Sequence, residues 1–239
     1  MSIYVLVPGA WHGGWAFRAV GQHLRAAGHD TLALTMPGLG VNDDPTGVTL
    51  SDSIAHTIDE IERRDLRDVH LVGHSWGGLV ISGVAARAAD RLAELVYYSA
   101  FVPSNGESLL DLCPPPYVEL FEAVAGQSPT NSVQLPFEVW QGGFMQDAPE
   151  STQRVIWEAL SSHPMGAFSE RLRLPDYASL DLPLRYVLAR DDIGLPPGEY
   201  GWDRFADRLG VRPTLVDGSH ESLFTQPESV ARGILHGTL

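Results

Sequence analysis

A serine flanked by glycines sits where one apolar run hands over to another. Val69 to Val72 leads into Gly73-His74-Ser75-Trp76-Gly77, and Gly78-Leu79-Val80-Ile81 follows. This G-x-S-x-G spacing is that of a nucleophile elbow, a sharp strand-to-helix turn that pushes the serine hydroxyl out toward a substrate. Glycine is needed on both sides of the serine, because a side chain there would strike the neighbouring strand and helix. The serine itself is held in strained dihedrals. A hydroxyl becomes a good nucleophile when a base takes its proton and a carboxylate orients that base. Two downstream segments supply such groups. Leu184 to Leu188 runs into Ala189-Arg190-Asp191-Asp192-Ile193-Gly194-Leu195-Pro196-Pro197, and Pro213 to Val216 runs into Asp217-Gly218-Ser219-His220-Glu221. Both follow strand-like runs, where the catalytic groups of a parallel sheet collect. The chain order Ser75, Asp, His220 is the one this elbow uses. Asp192, four residues ahead of Pro196, is favoured over Asp191 as the triad acid; the other is a solvated loop residue.

The first strand-like run ends in Val7-Pro8-Gly9-Ala10-Trp11-His12-Gly13-Gly14-Trp15, a glycine-rich turn expected beside the elbow. A tetrahedral intermediate needs two donors for its oxyanion, one from the residue after the serine and one from this loop. The backbone N–H groups of Trp76 and Ala10 are expected to supply them. The turn lacks the Gly-Lys-Ser/Thr ending of a phosphate loop. His74 is expected to pack beneath the elbow. His12, His23, His29, His56, His70, His163 and His236 show no metal-ligand spacing, so neither a metal nor a cofactor is assigned.

Elements able to hold these groups alternate along the chain. Short β-branched runs (Ile3 to Val7, Thr31 to Leu34, Val69 to Val72, Leu95 to Ser99) are separated by amphipathic stretches (Trp15 to Ala27, Ser51 to Arg64, Leu79 to Ala89). This is the rhythm of a parallel sheet in an α/β fold. Thr49 and Ser51 are N-cap candidates and Gly28 is a helix stop. The rhythm breaks after Ser99. Residues 103–175 carry Pro, Gly, Ser and aromatic residues around helix-like stretches (Tyr117 to Ala125, Glu150 to Ser161), with no convincing strand, and are expected to form an inserted helical cap. The rhythm resumes with Leu184 to Leu188, Trp202 to Leu209, Arg212 to Val216 and Glu228 to His236. The expectation is one domain, residues 1–102 with 176–239, built on about six mostly parallel strands.

Composition narrows the function classes. Thirty acidic against 16 basic residues give a net charge of −14, which opposes binding to nucleic acid or an anionic membrane. Every basic residue among Lys and Arg is an arginine, so a side-chain Schiff base is excluded. Cys113, the single cysteine, has no partner for an intramolecular disulfide, suits a reducing compartment and is expected to be structural. No signal-like or membrane-length apolar run is present, which points to a cytoplasmic protein. The arginine-only, glycine- and alanine-rich composition hints at a bacterial source. A small-molecule substrate is the expected partner; the oligomeric state stays open, a homodimer included.

These residues resemble the plant-type methyl esterase and hydroxynitrile lyase family of the α/β-hydrolase superfamily, with its bacterial relatives. The resemblance covers nearly the whole chain. It rests on Pro8-Gly9-Ala10-Trp11-His12-Gly13-Gly14-Trp15, Ala26-Ala27-Gly28-His29, Gly73-His74-Ser75-Trp76-Gly77-Gly78, Ala100-Phe101-Val102-Pro103 and Gly218-Ser219-His220-Glu221. A histidine usually stands in that family where Pro8 is. The resemblance implies an α/β-hydrolase fold and, for its lyase branch, a threonine and a lysine where Gly9 and Glu221 stand. A negative Glu221 would repel a cyanide leaving group, which disfavours that branch. The expected activity is cofactor-independent serine hydrolysis of a carboxylic ester of a small to medium apolar or aromatic substrate. Two alternatives remain: a lyase or cyclase step on a biosynthetic intermediate at the same site, and a ligand-binding receptor or carrier with little turnover. Aromatic residues are expected to line the substrate pocket, with Trp11, Phe101, Phe121, Trp140, Phe144, Trp157 and Phe168 as the candidates.

Overall fold

The structure, a computed structural model, describes residues 1–235 of the 239. Six parallel strands form the central sheet in the order β2-β1-β3-β4-β7-β8. They are β1 (Ile3–Val7), β2 (Asp30–Ala33), β3 (Val69–His74), β4 (Leu92–Tyr98), β7 (Leu184–Ala189) and β8 (Thr214–Val216). Two further strands, β5 (Ser132–Val133) and β6 (His163–Pro164), pair antiparallel in a separate ribbon. Successive residues of a strand point to opposite faces, and helices cover both faces here, so the central strands are apolar over most of their length. Tyr4, Leu6, Val72, Val96 and Tyr98 pack on one face with residues of α1 (Arg18–Ala26) and α11 (Pro227–Leu235). Val5, Val7, Leu71, Leu95 and Tyr97 pack on the other with α2 (Leu50–Arg63), α3 (Gly77–Ala88) and α9 (Asp203–Leu209).

Local signals set the helix ends. Thr49, rather than Ser51, caps α2, and it forms a reciprocal capping box with Asp52. The stretch expected from Glu228 to His236 is helical over Pro227–Leu235, and His236 lies outside the described residues. Between β4 and β7 the chain forms α4 (Leu109–Leu112), α5 (Pro115–Gln127), α6 (Phe137–Val139), α7 (Glu150–Glu158) and α8 (Met165–Ser169). The ribbon β5–β6 in this segment was not expected from sequence, because two residues per strand leave no alternation to detect.

The strand order fixes where a site can form. β1 and β3 are neighbours, and the connection leaving β1 runs to β2 on one side whereas that leaving β3 runs to β4 on the other, so the two diverge there. Such a switch point opens a crevice at the carboxyl ends of the strands. The Gly9 turn leaves β1 at that crevice, and Ser75 leaves β3 beside it. The short helix α10 (Ser222–Thr225) follows the loop after β8, which carries His220.

Candidate active site

The elbow forms as its glycines demand. Ser75 sits in left-handed backbone, φ 52°, a strained conformation for a residue with a Cβ. A Cβ on Gly73 would lie 2.7 Å from the carbonyl oxygen of Gly77, and one on Gly77 2.7 Å from that of Pro8. Ser75 donates its N–H to Tyr98 O at 3.2 Å and accepts at its carbonyl from Phe101 N–H at 3.1 Å. The turn is thereby tied to the end of β4.

His220 Nε2 stands 2.9 Å from Ser75 Oγ, and Asp192 Oδ2 stands 2.7 Å from His220 Nδ1. Asp192 Oδ1 accepts from Gly194 N–H at 2.9 Å, which fixes the carboxylate. The Asp192 side chain is fully buried. Asp191 is exposed and engages the structure through its backbone alone, accepting at its carbonyl from Gln146 Nε2. The geometry therefore joins Ser75, His220 and Asp192 in one hydrogen-bonded line.

Three buried histidines, His12, His74 and His163, lie near this line, and electrostatics sets His220 apart from them. Burial lowers the pKa of His12 to about 4, and it carries His74 and His163 well below the ordinary value, reinforced by neighbouring imidazoles. Burial also opposes charge on His220, but the charge and hydrogen bond of Asp192 outweigh it and raise the pKa. A proton leaving Ser75 thus has one favourable acceptor. His74 packs beneath the elbow, stacked on Tyr98 at 4.8 Å, and its Nε2 donates to the carbonyl of His220 at 3.1 Å.

Ala10 and Trp76 both line the cavity beside Ser75, and among the described residues neither backbone N–H has a protein acceptor. Trp76 opens α3, where the helix dipole favours negative charge. The cavity has roughly 30 Å³ of free volume for a water-sized sphere, well below the range of drug-sized ligand pockets. Its walls are almost wholly apolar. Of the seven aromatic candidates read from the sequence, Trp11, Phe101, Phe121 and Phe144 line it.

Trp140, Trp157 and Phe168 do not line the cavity, and each has a packing reason. Trp140 is fully buried one layer back, donating Nε1–H to Gln153 O at 3.2 Å. Trp157 faces Phe137 and donates to Leu135 O. Phe168 stacks on His163 at 4.4 Å. In their place Leu109, Cys113, Tyr117, Leu195 and Trp202 complete the wall. Cys113 is therefore more than a filler of the protein interior, and burial pushes its thiol up to about 12. Tyr117 and Phe121 lie one helical turn apart on α5 with rings stacked at 5.9 Å, an i,i+4 pair visible in sequence. Trp202 stacks on His220 at 5.1 Å, a contact with no local signal.

Glu221 does not act as expected. It is buried, is not part of the cavity wall, and its carboxyl is pushed up to about 8 chiefly by burial, so it is mostly uncharged at neutral pH. Repulsion of a leaving anion therefore does not distinguish the branches. A Cβ on Gly9 would lie 2.9 Å from His74 Nδ1 and 3.0 Å from Ser75 Cβ. A threonine at that point has no room. His74, His220 and Glu221 bring potential ligand atoms within 4.8 Å of one another. Both nitrogens of His220 are engaged by Ser75 and Asp192 and His74 Nε2 by a carbonyl, so this cluster offers a cation no free ligand set. No helix among the described residues is long and apolar enough to cross a membrane.

Comparison with known proteins agrees with this geometry. Over 116 residues the chain is 49% identical to a carbendazim hydrolyzing esterase of Nocardioides sp. (strain SG-4G), a stretch covering 48% of each protein. The alignment thus spans about half the length of that relative. Methylesterase 18 of Arabidopsis thaliana is 24% identical over 255 residues, covering 97% of this chain and 95% of its own. A solved extracellular alpha/beta-hydrolase from a Paenibacillus species, described as sharing structural and functional homology with tobacco salicylic acid binding protein 2, superposes with a TM-score of 0.91. It is 28% identical and covers 97% of both chains. The profile of one family, described as "Alpha/beta hydrolase family", matches residues 4–232. The chain belongs to the alpha/beta hydrolase family.

Proposed function

We propose that the protein is a carboxylic ester hydrolase that works through an acyl-enzyme on Ser75. The observation that carries this reading is the line from Ser75 through His220 to Asp192 at the wall of an apolar cavity. Ser75 Oγ attacks the ester carbonyl while His220 Nε2 takes its proton, and Asp192 holds the imidazole in the tautomer with its proton on Nδ1. The C–O π electrons move onto oxygen, and the N–H groups of Ala10 and Trp76 receive the resulting oxyanion. Collapse of the intermediate expels the alcohol, which takes the proton from His220 as it leaves. Water then repeats the sequence on the acyl-enzyme and releases the acid.

The cavity lining supports one substrate class. No side chain in its wall is charged at neutral pH, and the hydroxyl of Tyr117 is pushed up to about 12 by burial. A charged group placed there would lose its hydration without compensation. The substrate is therefore an ester whose buried part is neutral, small to medium in size, and apolar or aromatic. The names of the carbendazim hydrolyzing esterase and of methylesterase 18 support ester chemistry.

The test is a burst assay with p-nitrophenyl acetate and butyrate on wild type and Ser75→Ala, with intact-mass detection of the adduct. Wild type is expected to show a burst and a mass increase equal to one acyl group, both lost in Ser75→Ala. Folded wild-type protein with neither would overturn the reading.

A further inference from the structure

Trp11 is built against its own preference. It lies in the turn after β1 with φ 68°, the left-handed region that a residue with a large side chain avoids. Something outside the turn must hold it there. All three of its polar groups engage the segment that carries the β5–β6 ribbon: N–H to His163 Nδ1 at 3.1 Å, C=O from Ser161 N–H at 2.9 Å, and Nε1–H to Val133 O at 2.8 Å.

The peptide joining Ala10 to Trp11 is gripped at both of its polar atoms. Its N–H donates to His163, and its C=O accepts from His12 Nδ1 at 2.7 Å. In a trans peptide these groups point in opposite directions, so the two rings approach from opposite sides. We propose that His12 and His163 are positioning residues that clamp the Ala10–Trp11 peptide and thereby hold the Ala10 N–H where an oxyanion forms. The proposal rests on the ester-hydrolase reading above, in which Ala10 supplies that donor.

The clamp requires two rings of opposite tautomer. A carbonyl accepts, so His12 must carry its proton on Nδ1 and leave Nε2 bare. An amide N–H donates, so His163 must leave Nδ1 bare and carry its proton on Nε2. Both rings are buried, and neither Nε2 makes a hydrogen bond among the described residues. His12 Nε2 faces Glu221 Oε2 at 3.5 Å. Burial disfavours charge on both rings, which keeps each able to play its single part. Neither ring lines the cavity. Loss of the clamp therefore acts on the Ala10–Trp11 peptide, and Ala10 and Trp11 are the wall residues that it touches directly.

Two measurements on the full chain test this. Long-range ¹H–¹⁵N correlation spectra of uniformly ¹⁵N-labelled wild type are expected to show His12 protonated at Nδ1 and His163 at Nε2. The opposite tautomer or an imidazolium at either ring would overturn the proposal, whatever the enzyme's activity. Variants supply the kinetic arm with p-nitrophenyl butyrate. His12→Asn and His163→Asn place an amide group near the lost Nδ1, whereas His12→Gln and His163→Gln place it near Nε2. Displacing an oxyanion donor lowers kcat by roughly 10- to 100-fold in the Gln variants with KM within about threefold, and the Asn variants retain most of kcat. Equal kcat in the Asn and Gln pairs would overturn the clamp. A wild type that never acylates Ser75 would remove the hydrolase reading instead, and the tautomers would still judge the clamp. Should the variants fail to fold, the wild-type spectra decide alone.

Discussion

Replacing Glu221 by glutamine should make the protein less sensitive to alkaline pH. The carboxyl is 2% exposed, and burial moves its pKa from 4.5 to about 8 in the folded state, with Asp192 and Asp147 adding to the rise and His220 opposing it. A folded-state pKa above the unfolded one means that the native protein keeps a proton the unfolded chain has lost. The associated stability is complete below pH 4.5 and drains away as pH rises toward 8. The shift of about 3.5 units (8 − 4.5) corresponds to about 5 kcal/mol at 1.36 kcal/mol per unit. His12 works in the opposite sense between its folded value of about 4 and its unfolded 6.5, but it is present in both proteins. Above pH 6.5 the remaining 1.5 units leave wild type about 2 kcal/mol less stable relative to Glu221→Gln. For a chain of this size that is about 4–8 °C in melting temperature. Calorimetry at pH 6.5 and 8.5 on both proteins measures it. Curves that stay parallel between these pH values would show that Glu221 is ionised in the native state, and the reasoning would fail.

Other expected outcomes follow from the same geometry. Asp192→Asn should lower kcat by about 10⁴-fold. Wild-type kcat/KM should rise through a midpoint above pH 6.5 as His220 loses its proton, and Asp192→Asn should move that midpoint down, as a pH–rate profile records. Gly78→Ala should cost about 3 kcal/mol or more in urea titration, because its Cβ would lie 2.0 Å from the backbone oxygen of Phe101, which has no freedom to retreat. Phe121→Ala should destabilise by about 3–5 kcal/mol. The space it leaves should also shift kcat/KM toward longer acyl chains in a p-nitrophenyl ester series.

What was legible in the sequence was whatever short-range chemistry punctuates. Ser75, Asp192 and His220 each follow a strand-like run and a turn, and the structure brings these three together at hydrogen-bond distance. The inner sheet strands were visible because burial on both faces makes them largely apolar runs, and the edge strands β2 and β8 were visible as short β-branched runs between turns. The cavity wall was less so. Trp140 and Phe144 are near neighbours of like chemistry, yet only Phe144 reaches the cavity, because Trp140 satisfies its N–H deeper in the segment between β4 and β7. Trp202 and Cys113 arrive from distant parts of the chain, and no spacing announces them. Glu221 carried its misleading charge because a sequence prints an ionisable group without its surroundings.

The bond between Ser75 and His220 spans 145 residues of chain, which bears on how the protein is made. Contacts of such separation carry a large loop-closure cost and belong to the slow part of folding. During synthesis the nucleophile emerges 145 residues before its base. A nascent or prematurely ended chain thus holds a serine that nothing activates. On the proposed mechanism, esterase turnover therefore doubles as a report that the loop after β8 is in place, since Ser75 is acylated only in a molecule that has added β8 and closed its sheet.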